Sequence, residues 1–480
     1  MSVAFSRVYV EHVLDPGYRN WKRLYYGDLL AVHKAHLIML QETGIVSRTA
    51  AAAIKASMAS IEAGTVLPDH LPEGLEDLSF FYEKELDRHG AGSAASLHTA
   101  RSRNDMDTTV FRLALKRELR DLVGRLASCA RTILQRARAG ESELTILSTH
   151  GQPANVSTMA HYLSAFLLDF LEGTESLVTA MGFTDHCPLG ACAITGTGFA
   201  IDRDRTSHLL GFSSPVPNTY QAIATSHWLT VPAQALQLIL SDTGRLATDM
   251  LHKAAAEVGL LVFPDDLVQT SSIMPQKRNP VILEHIRIRA ALAAGACDSI
   301  VRLFRNVPYQ DVNEAADTPV SEFIDSLSQA RSCVALLELA VSKVASSQPR
   351  AREMAVTFGV TTTELADTMV RACDVNFQSA HHACAAFVRS GHDKTRLREA
   401  FREMVGKELP LSDQEIDEAL EPERFVAVRK TPGGPAPAGM ASVYAAVAAA
   451  MARIDAAVAE MDERGRSAAA ELRAAWDRLG

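Results

Sequence analysis

Apolar residues recur at three- and four-residue steps over most of the chain. The plainest stripe runs through Val320, Phe323, Ile324, Leu327, Ala330, Val334, Leu337, Val341 and Val344, and it predicts one long helix. Pro319 just ahead of it suits a helix start, where a fixed φ and a missing N–H do no harm. A second long element is expected from about 220 to 261, with Trp228, Val231, Leu236, Ile239 and Leu240 on apolar positions. Pro232 is expected to bend it near its first third. A third is expected from about 157 to 181, where His161, Tyr162, Ala165, Phe166 and Leu168 leave little polar surface. The tail, 440–480, has amphipathic spacing through Val443, Val447, Met451, Ile454, Val458 and Met461. The turn-rich segment ahead of it, Thr431-Pro432-Gly433-Gly434-Pro435-Ala436-Pro437, must break helix. Aromatics are only 6% and alternating Val, Ile and Thr runs are nearly absent, so an all-α fold is expected. Helices this long and apolar cannot cover their faces in one thin layer, which suggests a bundle and points towards sharing it between subunits.

The chain has 480 residues, 47% of them hydrophobic, enough for a large core and two or three domains. A net charge of −9 argues against a nucleic-acid binder, which normally shows a basic face. No uninterrupted apolar run approaches a bilayer-spanning length, and residues 1–18 lack a basic-then-apolar leader pattern, so a cytoplasmic location is expected. Seven scattered cysteines without a CxxC pair read as reduced, mostly buried residues. His381-His382-Ala383-Cys384 sits among apolar helical neighbours and reads as structural rather than metal-binding. No Gly-rich phosphate loop is present, which weighs against nucleotide chemistry. There is no internal repeat.

Four polar clusters interrupt the helical background. His98-Thr99-Ala100-Arg101-Ser102-Arg103-Asn104-Asp105 reads either as a charged helix entry capped by Ser102 or Asp105, or as a carboxylate cradle, since guanidinium and amide groups suit planar anions. Ser148-Thr149-His150-Gly151-Gln152-Pro153 puts a histidine on a turn beside a hydroxyl, and a lone histidine so placed is more often structural than catalytic. Residues 185–198 (Asp185-His186-Cys187-Pro188-Leu189-Gly190-Ala191-Cys192-Ala193-Ile194-Thr195-Gly196-Thr197-Gly198) are rich in small side chains, which implies close backbone approach and a tight turn. The fourth cluster is Thr270-Ser271-Ser272-Ile273-Met274-Pro275-Gln276-Lys277-Arg278-Asn279-Pro280. Two prolines mark it as a loop leading toward a helix. Hydroxyls, an ammonium and an amide together suit a carboxylate-bearing ligand, although a polar surface loop with a capping serine is the equal alternative.

In order and spacing these four clusters, with Ile201-Asp202-Arg203, resemble the argininosuccinate lyase branch of the aspartase/fumarase superfamily. The fourth is similar to the superfamily signature Ser-Ser-x-Met-Pro-x-Lys-x-Asn-Pro, and Arg101-Ser102-Arg103-Asn104-Asp105 is similar to the argininosuccinate lyase branch in particular. Weaker similarity extends to Glu76-Asp77 and to residues 433–437. The resemblance implies a three-domain, all-α fold: an N-terminal helical domain (1–100), a central long-helix domain (101–347) and a C-terminal helical domain (348–480). It further implies a homotetramer with a twenty-helix bundle and active sites shared between subunits, and no metal or organic cofactor.

The implied activity is anti β-elimination from a succinyl compound, releasing fumarate. The proton removed is barely acidic, so the site needs a base and, above all, stabilisation of the dianionic aci-carboxylate. By resemblance Ser271 is that base, Lys277 and Asn279 supply the positive charge and amide donors that lower its pKa and bind the growing carboxylate, and Ser272 belongs with the substrate-binding residues. His150 faces it across the substrate, oriented by Glu284. Ser102, Arg103, Asn104 and Thr149 hold the succinyl carboxylates.

The pattern departs from the family at the amine end. There the family reads Tyr, then Gln five residues on and Lys eight residues on. Here Tyr309 is followed by Glu314 and Asp317, with Pro319 at the family's spacing. Gly17 stands for a family serine, Ser226-His227 for an Arg-Asp pair, Met106 for a common glutamine, and Ala100 for a glycine. A lysine replaced by aspartate reverses the charge offered to a carboxylate, and the repulsion at close range is large. The expected substrate is therefore an N-substituted aspartate whose amine is not arginine, such as a diamine or an aminopolycarboxylate of the ethylenediamine-disuccinate kind. One alternative is argininosuccinate lyase proper, releasing arginine and fumarate from a diverged pocket. Another is a non-enzymatic, crystallin-like structural protein, against which the intact Ser271, Lys277, Asn279, His150 and Glu284 stand.

Overall fold

The computed structural model describes residues 5–90 and 92–479. Five long helices dominate it: α1 (Arg103–Ala139), α2 (Met159–Thr184), α3 (His227–Ala254), α4 (Val281–Leu303) and α5 (Asp317–Lys343). Each packs against the next, and α5 returns to α1, so the five close into a ring. The stripe read from the sequence faces inward: Val320, Phe323, Leu327, Ala330, Leu337 and Val341 are buried in one continuous core with Leu119, Leu163, Leu236 and Ile286. The outer faces of α3 and α4 are not covered by this chain. Leu238, Ile288 and Leu292 each leave half or more of their surface in solvent.

A sixth long helix, α6 (Pro437–Arg478), lies along α1 and α2 and adds Val447 and Ile454 to the same core. By length and composition it is apolar enough to cross a membrane, with a mean hydropathy of 1.4 over its best window. No uninterrupted apolar run announces it, because the hydropathy comes from many alanines interspersed with charge. Those charges dock the helix on the bundle: Arg453 pairs with Glu175 at 2.6 Å, Asp455 with Arg131 at 3.0 Å, and Arg464 with Asp185 at 2.5 Å. The other elements beyond 348 pack differently, and Leu365, Met369, Phe387, Leu397, Phe401 and Ile416 form a core of their own.

Two expected elements differ in detail. The segment expected from 220 is broken at Thr225 and Ser226 into Thr219–Ala224 and α3. Pro232 lies inside α3, where it cannot donate to the Trp228 carbonyl four residues back. The Thr184 hydroxyl, from the end of α2, donates to that carbonyl at 2.7 Å instead. The element expected from 157 begins as strand and becomes helix only after Thr158, whose hydroxyl caps α2 by accepting from the His161 N–H.

Short strands are also present. Strands β1 (Leu144–Thr149) and β2 (Gln152–Thr158) form an antiparallel hairpin between α1 and α2. Its two-residue turn places His150 at φ 52° and Gly151 at φ 76°, the both-positive pattern of a type I′ hairpin. The register slips after Leu147, leaving Ala154 as an extra residue that bends the ribbon near its tip. A shorter ribbon, β3 (Gln269–Thr270) with β4 (Arg278–Asn279), pinches the fourth cluster into a hairpin directly before α4.

Candidate active site

Asp105 builds the first part of the site. It is fully buried, and one carboxylate oxygen accepts from the Ser102 N–H at 2.8 Å, fixing the start of α1. The other accepts from Gly190 N–H at 2.8 Å and Cys192 N–H at 2.9 Å. The helix entry and the small-residue segment are therefore one clasped unit. Burial pushes the carboxyl up to about 6, opposed by these three donors. Gly190 is required there, since φ is 87° and a Cβ would stand 2.8 Å from the Arg203 and Ile201 side chains. Ala100, where the family pattern has glycine, is held at φ 60°, a left-handed conformation that glycine takes without strain.

A cavity of about 620 Å³ opens beside this unit, lined in part by Glu83, His98, Thr99, Ser102, Arg103 and Asn104. Its charges are arranged differently from the expectation. Arg103 pairs with Glu76 at 2.9 Å and Asp77 at 2.7 Å and lies over the Phe80 ring at 5.1 Å. It is paired with two carboxylates of its own chain and lines the cavity beside Ser102 and Asn104. Asn104 donates to Asp311 at 3.0 Å. Nearby Asp107 is raised well above the usual carboxylate range by burial and by Asp77.

The second and fourth clusters lie on exposed tips. Thr149 and His150 crown the β1–β2 hairpin, and His150 has no side-chain partner among the described residues. In the β3–β4 hairpin the Ser271 N–H donates to the Lys277 carbonyl at 3.3 Å, and the Lys277 N–H to the Met274 carbonyl at 3.0 Å. This folds the chain back so that the Met274 and Ile273 N–H groups point at the Ser271 Oγ, at 3.0 and 3.3 Å. Two amide donors on one hydroxyl oxygen favour its deprotonated form. The motif announces Lys277 and Asn279 as donors; the backbone pair follows only from the turn geometry. Ser272 and Lys277 are exposed and Asn279 is half-buried at the foot of the ribbon. Glu284 is exposed on the first turn of α4. The expected contact between His150 and Glu284 is not formed within one chain.

Two of the departing positions, Gly17 and Asp317, meet elsewhere. Asp317, at the start of α5, accepts from Ser321 Oγ at 2.9 Å and Asn20 Nδ2 at 3.3 Å. Gly17 faces it, so that a Cβ there would stand 3.4 Å from Asp317 Oδ2. Burial pushes the Asp317 carboxyl up to about 6. Glu314 lies in the short turn Asn313–Ala315 between Asp317 and Tyr309, whose exposed ring meets the Tyr220 ring edge-on at 5.7 Å. His227 packs against Phe183 at 6.0 Å, and Met106 is buried in the core.

A family model described as lyase matches residues 86–295, and one described as argininosuccinate lyase C-terminal matches residues 359–427. Argininosuccinate lyase 2 of Agrobacterium fabrum is 35% identical over 477 residues, covering 97% of this chain and 94% of its own. The chain belongs to the argininosuccinate lyase family. It is a carbon–nitrogen lyase that forms fumarate. Argininosuccinate lyase 1 of Shouchella clausii is 29% identical over 91% of this chain and 90% of its own. An EDDS lyase variant with bound fumarate matches this lyase with a TM-score of 0.83 at 25% identity, covering 97% of this chain and 95% of that one. A class II fumarase from Schistosoma mansoni, at 15% identity and a TM-score of 0.66 over 82% of this chain and 88% of its own, shares the fold.

Within one chain of this argininosuccinate lyase family member the motifs form two groups. Residues 98–105, the 185–198 segment and Asp311 touch one another directly. The His150 and Ser271 hairpins stand apart as exposed tips.

Proposed function

We propose that this lyase releases fumarate from an N-substituted aspartate whose amine half ends in a positive charge and lacks the α-carboxylate of arginine, as a diamine does. The observation that carries the reading is Asp317. It is a half-buried carboxylate with no lysine or arginine in hydrogen-bond contact among the described residues, and Gly17 presents no side chain to it. A carboxylate there meets repulsion, and an ammonium meets an anion and an accepting surface. Glu314 adds a second negative charge and Tyr309 an aromatic face.

The reaction follows the family's chemistry. Ser271 takes the Cβ proton, the C–H electrons form the C=C bond of fumarate, and the C–N electrons leave on the substrate's protonated nitrogen, which departs as the neutral amine. The two N–H groups aimed at Ser271 Oγ support that role, and Lys277 and Asn279 supply positive charge and an amide to the growing aci-carboxylate. His150, with Glu284 from another subunit, serves the opposite side of the substrate. Ser102, Asn104 and Thr149 hold its carboxylates. A homotetramer accounts for the half-exposed Leu238, Ile288 and Leu292 on the ring's outer faces, and for catalytic groups that one chain leaves apart.

The test incubates the protein with fumarate and a panel of amines, including arginine and diamines, and follows the loss of fumarate absorbance. Consumption with a diamine, abolished by Ser271→Ala with the assembly intact, supports the reading. Consumption with arginine alone would favour argininosuccinate lyase proper.

A further inference from the structure

Lys253 lies near the end of α3 and is 4% exposed, the one buried lysine among the described residues. Its Nζ donates at 2.9 Å to the carbonyl of Ile146, on the outer edge of β1. The Tyr162 ring lies 5.1 Å away and Asp249 4.0 Å away, and the Tyr162 hydroxyl donates to Asp249 at 2.6 Å. Burying an ammonium is costly, and a neutral donor would satisfy one carbonyl equally well. The arrangement therefore calls for a reason beyond hydrogen-bond accounting.

The edge of β1 supplies one. Its outward backbone groups are taken in turn by side chains from the rest of the fold. At Leu144 the N–H donates to Gln348 Oε1 at 2.8 Å, and the carbonyl accepts from Ser346 Oγ at 2.9 Å and Gln348 Nε2 at 3.1 Å. Two residues on, Lys253 takes the Ile146 carbonyl. After Leu147 the register slips, and Ser148, Thr149 and His150 are exposed. Lys253 is thus the last anchor before the tip.

We propose that Lys253 is a positioning residue for His150. Its charged hydrogen bond sets where the bent tip begins, and Tyr162 and Asp249 hold the ammonium between α2 and α3. The link between the bundle and the tip then runs from α3 through one side chain to a backbone carbonyl four residues from the imidazole. This rests on the reading of His150 as part of the reacting site.

The test compares Lys253→Met, Lys253→Arg and His150→Ala with the unaltered protein. Hydrogen exchange is followed in the 144–158 peptide, and kcat and KM are measured with the N-substituted aspartate that the amine panel yields. Misplacing a catalytic group by about 1 Å lowers turnover by about 100-fold. Lys253→Met is therefore expected to lower kcat by about 10- to 100-fold with KM changed less than about twofold. Exchange should quicken within 144–158 while the other bundle helices keep their protection, and Lys253→Arg should restore most of both. Unchanged exchange in that peptide would overturn the anchoring. Unchanged kcat in Lys253→Met, where His150→Ala abolishes turnover, would overturn the positioning role. Full turnover in His150→Ala would instead sink the reading of His150 and leave the anchoring to be judged by exchange.

Discussion

Asp317 Oδ2 stands 3.4 Å from the point where a side chain at Gly17 would begin. Two positions that depart from the family pattern, 300 residues apart in sequence, therefore face each other in space. A serine at 17 would touch the carboxylate; the glycine presents no side chain to it. Replacing a serine by glycine at 17 and reversing charge at 317 act on one small volume, which makes a coordinated change of ligand the simpler account than independent drift.

The Asp317 carboxyl, pushed up to about 6 by burial, is ionised at pH 8 and neutral at pH 5. A cationic amine half is attracted only to the ionised form. kcat/KM for such a substrate should fall as pH drops through about 6, and Asp317→Asn should remove that limb. At pH 8 the variant should lose about 10- to 100-fold in kcat/KM, the scale of one charged hydrogen bond. The effect on stability has the opposite sign. A carboxyl whose folded pKa is raised favours folding most below the unfolded value of 3.8, and loses that contribution as pH rises through about 6. Asp317→Asn should therefore be more stable than the parent at pH 8, by roughly 1 kcal/mol, and no more stable at pH 4.

Gly17→Val should exclude ligand from the face of Asp317 without touching Ser271 or His150. The expected result is a KM raised about tenfold or more with kcat nearly kept, the mark of lost uniform binding. A loss confined to kcat would place Gly17 outside the amine site.

Thr184 and Pro232 are coupled through the Trp228 carbonyl. Thr184→Val leaves that buried acceptor without a donor and should cost about 1–3 kcal/mol in denaturant unfolding. In a Pro232→Ala background the restored N–H supplies the missing bond, so the same substitution should cost at least about 1 kcal/mol less. Equal costs in both backgrounds would show that the hydroxyl does not replace the proline's missing donor.

Ala100 holds φ 60°, a conformation that strains an L-residue by roughly 1–2 kcal/mol. Ala100→Gly removes the strain but adds unfolded-state freedom worth roughly 0.4–1 kcal/mol. The net expectation is a modest rise in the thermal midpoint. A fall would mean that the methyl group makes contacts worth more than the strain.

What the sequence made legible follows from the range of the forces involved. The α5 stripe was readable because helical burial repeats over every turn from Val320 to Val344. The break at Thr225 and Ser226 was not, because Pro232 drew attention seven residues too late and its orphaned carbonyl is rescued by Thr184, which lies in another helix. The β1–β2 hairpin was reduced to a turn around His150, since Leu144, Ile146 and Val156 are too few to form a strand signal. Ser271 could be named from its motif, but the two amides aimed at it depend on how residues 271–277 fold back. The pairing of Arg103 with Glu76 and Asp77 is tertiary, and nothing local to residues 98–105 announces it. The apposition of Gly17 and Asp317 is a tertiary fact that neither segment carries alone.

The central claim is that the amine site of this lyase selects positive charge and rejects the amino-acid end of arginine. Its most direct test is the ratio of kcat/KM for the aspartate adduct of a diamine to that for argininosuccinate, measured by fumarate release on the same preparation. The account predicts a ratio of about 100 or more in favour of the diamine adduct, collapsing toward one in Asp317→Asn. Argininosuccinate turned over at about 1 per second or faster, with a ratio below one, would contradict it.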